Sequence, residues 1–163
     1  MDTKKEHVIE EIQAAFDDAS LPKTIFIHKA GQYFDAKQAE QELRYYDHWS
    51  RVPLETIIPT RNRMSWFTSE AWNFYLPALL IASIEHPKKT DTLKESLLSF
   101  LSSSTELSQI ILEGLSNNQL KALLEYFKAY EILFPPTQWS YTEQDREDIT
   151  QVISMLNGLI EGT

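Results

Sequence analysis

Apolar residues recur at intervals of three and four along most of this chain, the spacing that places them on one face of an α-helix. The first such face comprises Val8, Ile9, Ile12, Ala15 and Phe16. Thr3 precedes it with Glu6 three residues later, a capping-box pattern in which each side chain satisfies a free backbone N–H. We therefore predict a helix from Thr3 to about Asp17, with Leu21-Pro22 ending the element.

A second amphipathic segment follows. Asp35 stands at an N-cap position with Gln38 three residues later. Its apolar face comprises Ala39, Leu43 and Tyr46. The pattern predicts a helix from Asp35 to about Asp47. Pro53 then suits the first turn of a short helix, and Pro59 ends it.

A short run rich in β-branched and aromatic residues and a second run with weak alternation are candidate strands. Residues 24–29 read TIFIHK, and residues 63–67 read RMSWF, where Met64 and Trp66 alternate with their neighbours. Alternation of this kind is typical of strands. We predict that the two runs pair as a minor two-stranded β element.

The most apolar stretch of the chain is SWFTSEAWNFYLPALLIAS, at residues 65–83. Thr68 or Ser69 caps a helix there, and apolar residues occupy most of its faces, which is typical of a helix surrounded by others. A membrane span needs roughly 20 apolar residues, and the polar Asn73 and Glu85 leave too short a run. The stretch therefore predicts a central buried helix rather than a membrane segment.

Pro77 lies in the middle of that helix. Proline has no backbone N–H, and its ring crowds the carbonyl of Asn73, so a kink costs about 3 kcal/mol unless packing compensates. Two arrangements fit the sequence. Either the helix bends at Pro77, or one helix ends near Leu76 and Pro77 opens the next segment, and both predict irregular backbone in the core.

The second half of the chain has more regular stripes. They comprise Leu93, Leu97, Phe100 and Leu101; Leu107, Ile110, Ile111 and Leu115; Leu120, Leu123, Leu124, Phe127 and Phe134; and Ile149, Val152, Ile153, Leu156 and Ile160. The predicted N-caps are Thr92, Ser116 and either Ser140 or Thr142. We predict a mainly α fold, a single-domain bundle of about six to eight helices over residues 1–163, with the Pro77 helix at its centre.

The formal net charge of the 163 residues is −9. Such a charge repels phosphate backbones and anionic lipid surfaces, so we expect neither nucleic acid nor a membrane as the partner. A basic protein is the partner that the charge favours, although acidity also keeps a protein soluble when no partner is involved. The N-terminal MDTKKEHVIEEIQAAF lacks the apolar core of a signal peptide, which predicts a cytoplasmic location.

Spacings that signal catalysis or metal binding do not occur. The chain has no cysteine, and His7, His28, His48 and His86 stand far apart. No Gly-x-Ser-x-Gly elbow is present, and the isolated glycines form no phosphate loop. We expect no metal site and no cofactor. A function other than catalysis is favoured, and the enzyme question stays open.

Two aromatic loops carry residue types that are enriched at protein interfaces, RYYDHWSRVP at residues 44–53 and FPPTQWSYTEQD at residues 134–145. The candidate anchors are Tyr45, Tyr46, Trp49, Trp139 and Tyr141. The candidate steering carboxylates are Glu10, Glu11, Asp17 and Asp18 near the N-terminus, and Glu143, Asp145, Glu147 and Asp148 in the last helix. The alternative is that Trp49 and Trp139 plug the ends of the core.

The central block has a recognisable order of residues. It comprises Trp49-x-x-Val52-Pro53, then Phe67, Thr68-Ser69-Glu70-Ala71, Phe74-Tyr75 and Leu76-Pro77-Ala78. Over residues 49–84 it resembles a family of small, uncharacterised bacterial proteins, a domain of unknown function. The resemblance implies no assigned activity and no catalytic residues.

By size and charge the chain also resembles immunity proteins, which bind and neutralise a partner toxin. Our leading expectation is therefore a non-enzymatic protein-binding domain, an immunity or antitoxin-like inhibitor of a basic bacterial toxin domain. A second expectation is an enzyme or small-ligand domain with a pocket beside Pro77. The predicted lining of that pocket comprises His48, Trp72, Asn73 and Tyr75. A third is a structural accessory domain that forms a homodimer through an apolar helix face.

Overall fold

Amphipathic helices of different lengths, arranged around one buried central helix, make up the fold. The structure, a computed structural model, describes residues 2–27 and 33–162. The helices there are α1 (Thr3–Phe16), α2 (Phe34–Arg44), α3 (Leu54–Ile57), α4 (Ser69–Glu85), α5 (Asp91–Ser102), α6 (Glu106–Glu113), α7 (Asn117–Lys128), α8 (Tyr130–Leu133) and α9 (Glu143–Glu161). The two shortest, α3 and α8, are single turns, and the seven others in these ranges confirm the predicted mainly α bundle.

The central helix is α4, which is buried along almost its whole length. Ala71, Trp72 and every residue from 74 to 84 are buried. The helix is continuous across Pro77, so the predicted break near Leu76 is wrong, and a bend at Pro77 stays a prediction. None of the helices in residues 2–27 and 33–162 is both long and apolar enough to span a membrane.

The outer helices cover α4 with the stripes that the sequence predicts. Helix α1 packs against α4 and α7, α5 packs against α4 and α9, and α7 packs against α9. The buried residues of the two terminal helices are Val8, Ile12 and Phe16 in α1, and Ile149, Val152 and Leu156 in α9. Burial of such apolar faces is the main source of stability for amphipathic helices.

Side-chain caps fix the starts of three helices as predicted. The Thr68 hydroxyl accepts a hydrogen bond from the backbone N–H of Ala71 at 3.1 Å, at the start of α4. Complete capping boxes open α7, between Ser116 and Gln119, and α9, between Thr142 and Asp145. The last of these caps directs the loop that enters α9, where several candidate residues lie.

Three predicted N-caps are displaced by one or two residues. The N-cap of α1 is Asp2, whose carboxylate accepts from the N–H of Lys4 at 3.0 Å, and Thr3 is already helical. Helix α2 starts before Asp35, and no side chain caps it. Helix α5 starts before Thr92. The local sequence narrows each start to a few neighbouring residues, and backbone geometry selects among them.

The predicted β ribbon is reduced to a single antiparallel bridge between Phe26 and Phe67. The N–H of Ile27 donates to the Trp66 carbonyl at 2.7 Å, and the N–H of Thr68 donates to the Ile25 carbonyl at 2.9 Å. Residues Met64–Trp66 form a turn of 3-10 helix, which prevents a longer ladder. Residues 28 and 29 of the predicted run, including His28, lie outside the described residues.

Candidate functional site: an acidic and aromatic cleft

A cleft of about 300 Å³ opens between the start of α5, α8 and the loop that enters α9. Its lining comprises Asp91, Lys94, Glu95, Tyr130, Gln138, Trp139, Ser140, Tyr141 and Asp145. Three carboxylates therefore share this space with one ammonium and three aromatic side chains. A concave site with convergent polar groups and aromatic walls is a usual form of binding site.

The two ends of the loop that carries Trp139 and Tyr141 are held by local hydrogen bonds. After α8, the N–H groups of Gln138 and Trp139 both donate to the Pro135 carbonyl, at 2.9 and 3.0 Å. At the other end, the N–H of Thr142 donates to the Asp145 carboxylate at 2.8 Å. The aromatic side of the cleft is thereby built before any ligand arrives.

Lys94 is the buried centre of the cleft, with 4% of its surface exposed. Its Nζ lies 3.5 Å from the Asp91 carboxylate. The same ammonium lies 3.7 Å from the centre of the Trp139 ring and 4.5 Å from the centre of the Phe134 ring. Cation–π attraction to these faces adds to the ion pair, so Lys94 fastens the aromatic loop to α5.

Desolvation perturbs two groups of the cleft lining, the buried Lys94 and the exposed Glu95. It lowers the pKa of Lys94, and the carboxylate of Asp91 opposes that shift. It raises the pKa of Glu95, and the charge of Asp91 adds to the rise. Perturbed groups that converge in a cleft are characteristic of functional sites, although structural ion pairs produce similar shifts.

The two tyrosines of the cleft differ in their hydrogen bonding. The Tyr141 hydroxyl donates to the carbonyl of Phe134. Tyr130 is 3% exposed, and none of residues 2–27 or 33–162 forms a hydrogen bond with its hydroxyl. Burial raises the pKa of Tyr130, and Tyr126, Tyr141 and the charges of Asp145 and Glu95 add to the rise. Tyr130 lines the cleft together with both carboxylates. Among the described residues the fully buried side-chain polar atom without a partner is Trp72 Nε1, so the Tyr130 hydroxyl keeps contact with solvent in the cleft that Tyr130 lines.

The candidate residues of the loop at residues 134–145 and of α9 lie partly in this cleft and partly outside it. Trp139, Tyr141 and Asp145 line it. Glu143 and Glu147 line a shallow groove along α9 instead. The remaining carboxylate, Asp148, accepts a hydrogen bond from a glutamine side chain one turn earlier in α9, at 2.9 Å. Trp139 is half-buried, so it both covers the Lys94 ammonium and keeps surface for a partner.

The other candidate residues belong to α1 and to the loop of residues 44–53, and this loop contacts the C-terminal end of α1. The Nε2–H of His48 donates to the Asp17 carbonyl at 3.0 Å, because a carbonyl only accepts. This contact brings the segment of Tyr45 and Tyr46 to the Asp17-Asp18 pair. Tyr45 is 83% exposed. The remaining carboxylates of this group, Glu10 and Glu11, are exposed on α1 itself.

Trp49 is not available as a partner anchor. It is 4% exposed, and its Nε1–H donates to the Phe16 carbonyl at 2.8 Å at the end of α1. That carbonyl is one of the free acceptors at a helix C-terminus, which explains why the indole turns inward. The alternative that Trp49 plugs the end of the core is therefore the correct one.

The residues expected to line a pocket beside Pro77 do not come together. Trp72 is fully buried against Phe67 and Phe100. The Tyr75 hydroxyl donates to the Leu43 carbonyl at 3.3 Å, and Asn73 donates to the Gly114 carbonyl at 3.4 Å. His48 lies at the end of α1, as described above. That predicted lining is wrong, because the side chains point to different neighbours.

Sequence reasoning missed Asp91, Lys94, Glu95 and Tyr130. A signal for Lys94 was present, since it precedes Leu97, Leu98 and Leu101 by three, four and seven residues, the spacing of a buried helix face. A lysine at such a position needs a nearby carboxylate, and Asp91 and Glu95 stand within one turn. Nothing comparable marked Tyr130, which stands in a stretch rich in aromatic and apolar residues.

No group of three or more histidine, aspartate or glutamate residues in the described ranges is arranged to hold a metal ion. Comparison with known protein families matches residues 4–151 to a family of unknown function (DUF6714). This confirms the expected membership of an uncharacterised family, over a longer stretch than residues 49–84. No curated protein and no solved structure matches the chain.

Proposed function

The chain belongs to the family of unknown function DUF6714, and from its acidic and aromatic cleft we propose that it is a non-enzymatic protein-binding domain for a basic partner. The cleft carries the proposal. Asp91, Glu95 and Asp145 outnumber the single ammonium of Lys94 in its lining. Such a site attracts a cationic side chain and disfavours an anionic one.

Aromatic surface beside those carboxylates supports a protein as the partner. Trp139 and Tyr141 are half-buried at the cleft, and tyrosine and tryptophan commonly dominate binding energy at interfaces. Both rings are already held in place, Trp139 over the Lys94 ammonium and Tyr141 by its bond to Phe134. Binding then requires little ordering of these side chains, which favours affinity.

In its specific form, the proposal is an immunity or antitoxin-like inhibitor of a basic bacterial toxin domain. A net charge of −9 attracts a cationic domain at long range and speeds encounter. Asp17-Asp18 after α1 and Glu143 and Glu147 on α9 are exposed and extend the acidic surface. The charges set the association rate, and the cleft sets the dissociation rate.

A capture experiment with matched variants tests the proposal. The wild type, E95Q/D145N and the control E113Q/E161Q are immobilised, and proteins from the native lysate are quantified at low and high salt. Both variants remove two negative charges, but Glu113 and Glu161 are exposed outside the cleft lining. The D145N change keeps a side-chain oxygen at the position that completes the capping box of α9, so the helix start is preserved.

We expect one basic protein to be enriched by the wild type and the control and lost with E95Q/D145N. Reconstituted from purified components, the pair should form a stoichiometric complex whose association rate falls as salt rises. The same captured proteins with all three baits, or an acidic protein as the specific one, would contradict the proposal. So would a homodimer that persists at high salt and buries the cleft.

A further inference from the structure

We propose that the cleft recognises a single guanidinium group, so that an arginine side chain of the partner enters between Glu95, Asp145 and Tyr130. The inference rests on the proposed function and narrows it to one chemical group. It also uses the Tyr130 hydroxyl, which belongs to a side chain of the cleft lining and has no hydrogen-bond partner in the described residues.

Hydrogen-bonding capacity points to a donor-rich ligand. The carboxylates of Glu95 and Asp145 only accept hydrogen bonds when ionised, and the Tyr130 hydroxyl has lone pairs free to accept as well. A guanidinium carries five N–H donors in one plane, which matches several acceptors at once. An anionic ligand would face carboxylates on both α5 and α9 and is disfavoured.

The position of Lys94 distinguishes a guanidinium from an ammonium. Its own ammonium already occupies the faces of Trp139 and Phe134 and is paired with Asp91. A second compact ammonium would need the same ring faces and would be repelled at short range. A planar guanidinium instead spreads its charge and stacks on an aromatic surface such as the Tyr141 ring, which also lines the cleft.

The size of the cleft supports one side chain as the ligand. Its volume of about 300 Å³ lies at the lower end of ligand-binding pockets. Lys94 acts as a positioning residue, since it holds the aromatic loop against α5 and its charge is already paired with Asp91. These two residues form the fixed part of the site, and Glu95, Asp145 and Tyr130 are left to meet the ligand.

Binding of N-acetyl-arginine amide, followed by calorimetry and by the tryptophan fluorescence that Trp139 contributes to, tests the inference. The citrulline analogue is a neutral control of nearly the same shape, and the lysine analogue carries the same charge on an ammonium. We expect saturable binding of the arginine probe alone. The variant E95Q/D145N should weaken it by about tenfold or more, and Y130F should weaken it several-fold, whereas E113Q/E161Q should have no effect.

Equal binding of the citrulline and arginine probes would overturn the inference, as would no saturable binding of the arginine probe. Arginine binding that is unaffected by E95Q/D145N would also overturn it. Circular dichroism and thermal melts establish that each variant is folded. The two proposals fail separately: if the protein partner depends on the cleft but the arginine probe does not bind, only the guanidinium assignment is wrong. If the probe binds and no basic partner exists, only the proposed function is wrong.

Discussion

Lys94 and Asp91 form an ion pair whose two members differ in exposure. The Lys94 side chain is 5% exposed and that of Asp91 is 49% exposed. Burying an ammonium is costly unless a carboxylate and other favourable contacts compensate. The pair therefore acts less as a source of net stability than as a device that fixes the position of the aromatic loop.

Removing the charge of Asp91 and removing the charge of Lys94 should lower the free energy of unfolding by different amounts. D91N leaves the buried ammonium without its paired carboxylate and should cost about 1 kcal/mol or more, moderated because Asp91 is half-exposed. K94M should cost less, since it removes the charge and keeps an apolar stem of similar length. Urea denaturation of both variants and of the double variant measures the coupling. A larger loss for K94M would mean that the cation–π contacts outweigh the desolvation of the ammonium.

Buried tyrosines should make the fold sensitive to high pH. Burial raises the pKa of Tyr75 from 10.0 to about 12, and burial also raises the pKa values of Tyr126, Tyr130 and Tyr141. Because the folded pKa lies above the unfolded one, this stabilisation is fully present below about pH 10 and is lost as the pH rises toward about 12.

We expect the tyrosinate absorbance of these four residues to appear together with the loss of helical circular dichroism in an alkaline titration. Y75F should shift that unfolding to higher pH, because it removes one of the groups concerned. The control is Y45F, at a hydroxyl on a side chain that is 83% exposed, which should leave the midpoint unchanged. Ionisation of all four tyrosines in a protein that keeps its native helical signal would contradict this account.

At the scale of whole elements, the stripes and caps in the sequence located most helices because both signals are local. The starts of α4, α7 and α9 are fixed by side chains that lie within three residues of the bonds they accept. Local patterns did not predict the position of Trp49. Its indole turns inward because it donates to a carbonyl that lies 33 residues away in the sequence. For the same reason only part of the cleft was predicted: the sequence pointed to Trp139, Tyr141 and Asp145, but the α5 residues join them only where α5 packs against α9.

Loss of a capping box should destabilise the protein without changing its fold. S116A removes the side-chain acceptor for the N–H of Gln119, which lies 3.2 Å away at the start of α7, and should cost about 1 kcal/mol. T142A should cost a similar amount, because it removes the hydroxyl that accepts from the N–H of Asp145 at 3.1 Å, and it should leave arginine binding unchanged because the Thr142 N–H keeps its bond to the Asp145 carboxylate. S154A, at an exposed position within α9, is the control and should be neutral or slightly stabilising. Equal melting temperatures for S116A and S154A would contradict the prediction.

On the scale of the whole molecule, one buried helix is covered by amphipathic neighbours, and the proposed binding surface lies on the covering layer. Helix α4 contributes no residue to the cleft lining. Stability and recognition are thereby separated, since the carboxylates of Glu95 and Asp145 can be exchanged without disturbing the contacts of α4. That separation is why the cleft variants proposed above should fold.

The burial of α4 from residue 74 to residue 84 has a consequence for hydrogen–deuterium exchange. Since its residues from 74 to 84 are all buried, their backbone amides, apart from Pro77, which has none, should exchange only when the whole protein opens. Any partner that binds only the folded state lowers this exchange rate in proportion to the fraction of the protein that remains unbound. The exchange rate of the α4 amides therefore reports the binding of a ligand anywhere on the surface, even when its contact site is unknown. Faster exchange in α4 than in α7 would show instead that the centre opens on its own.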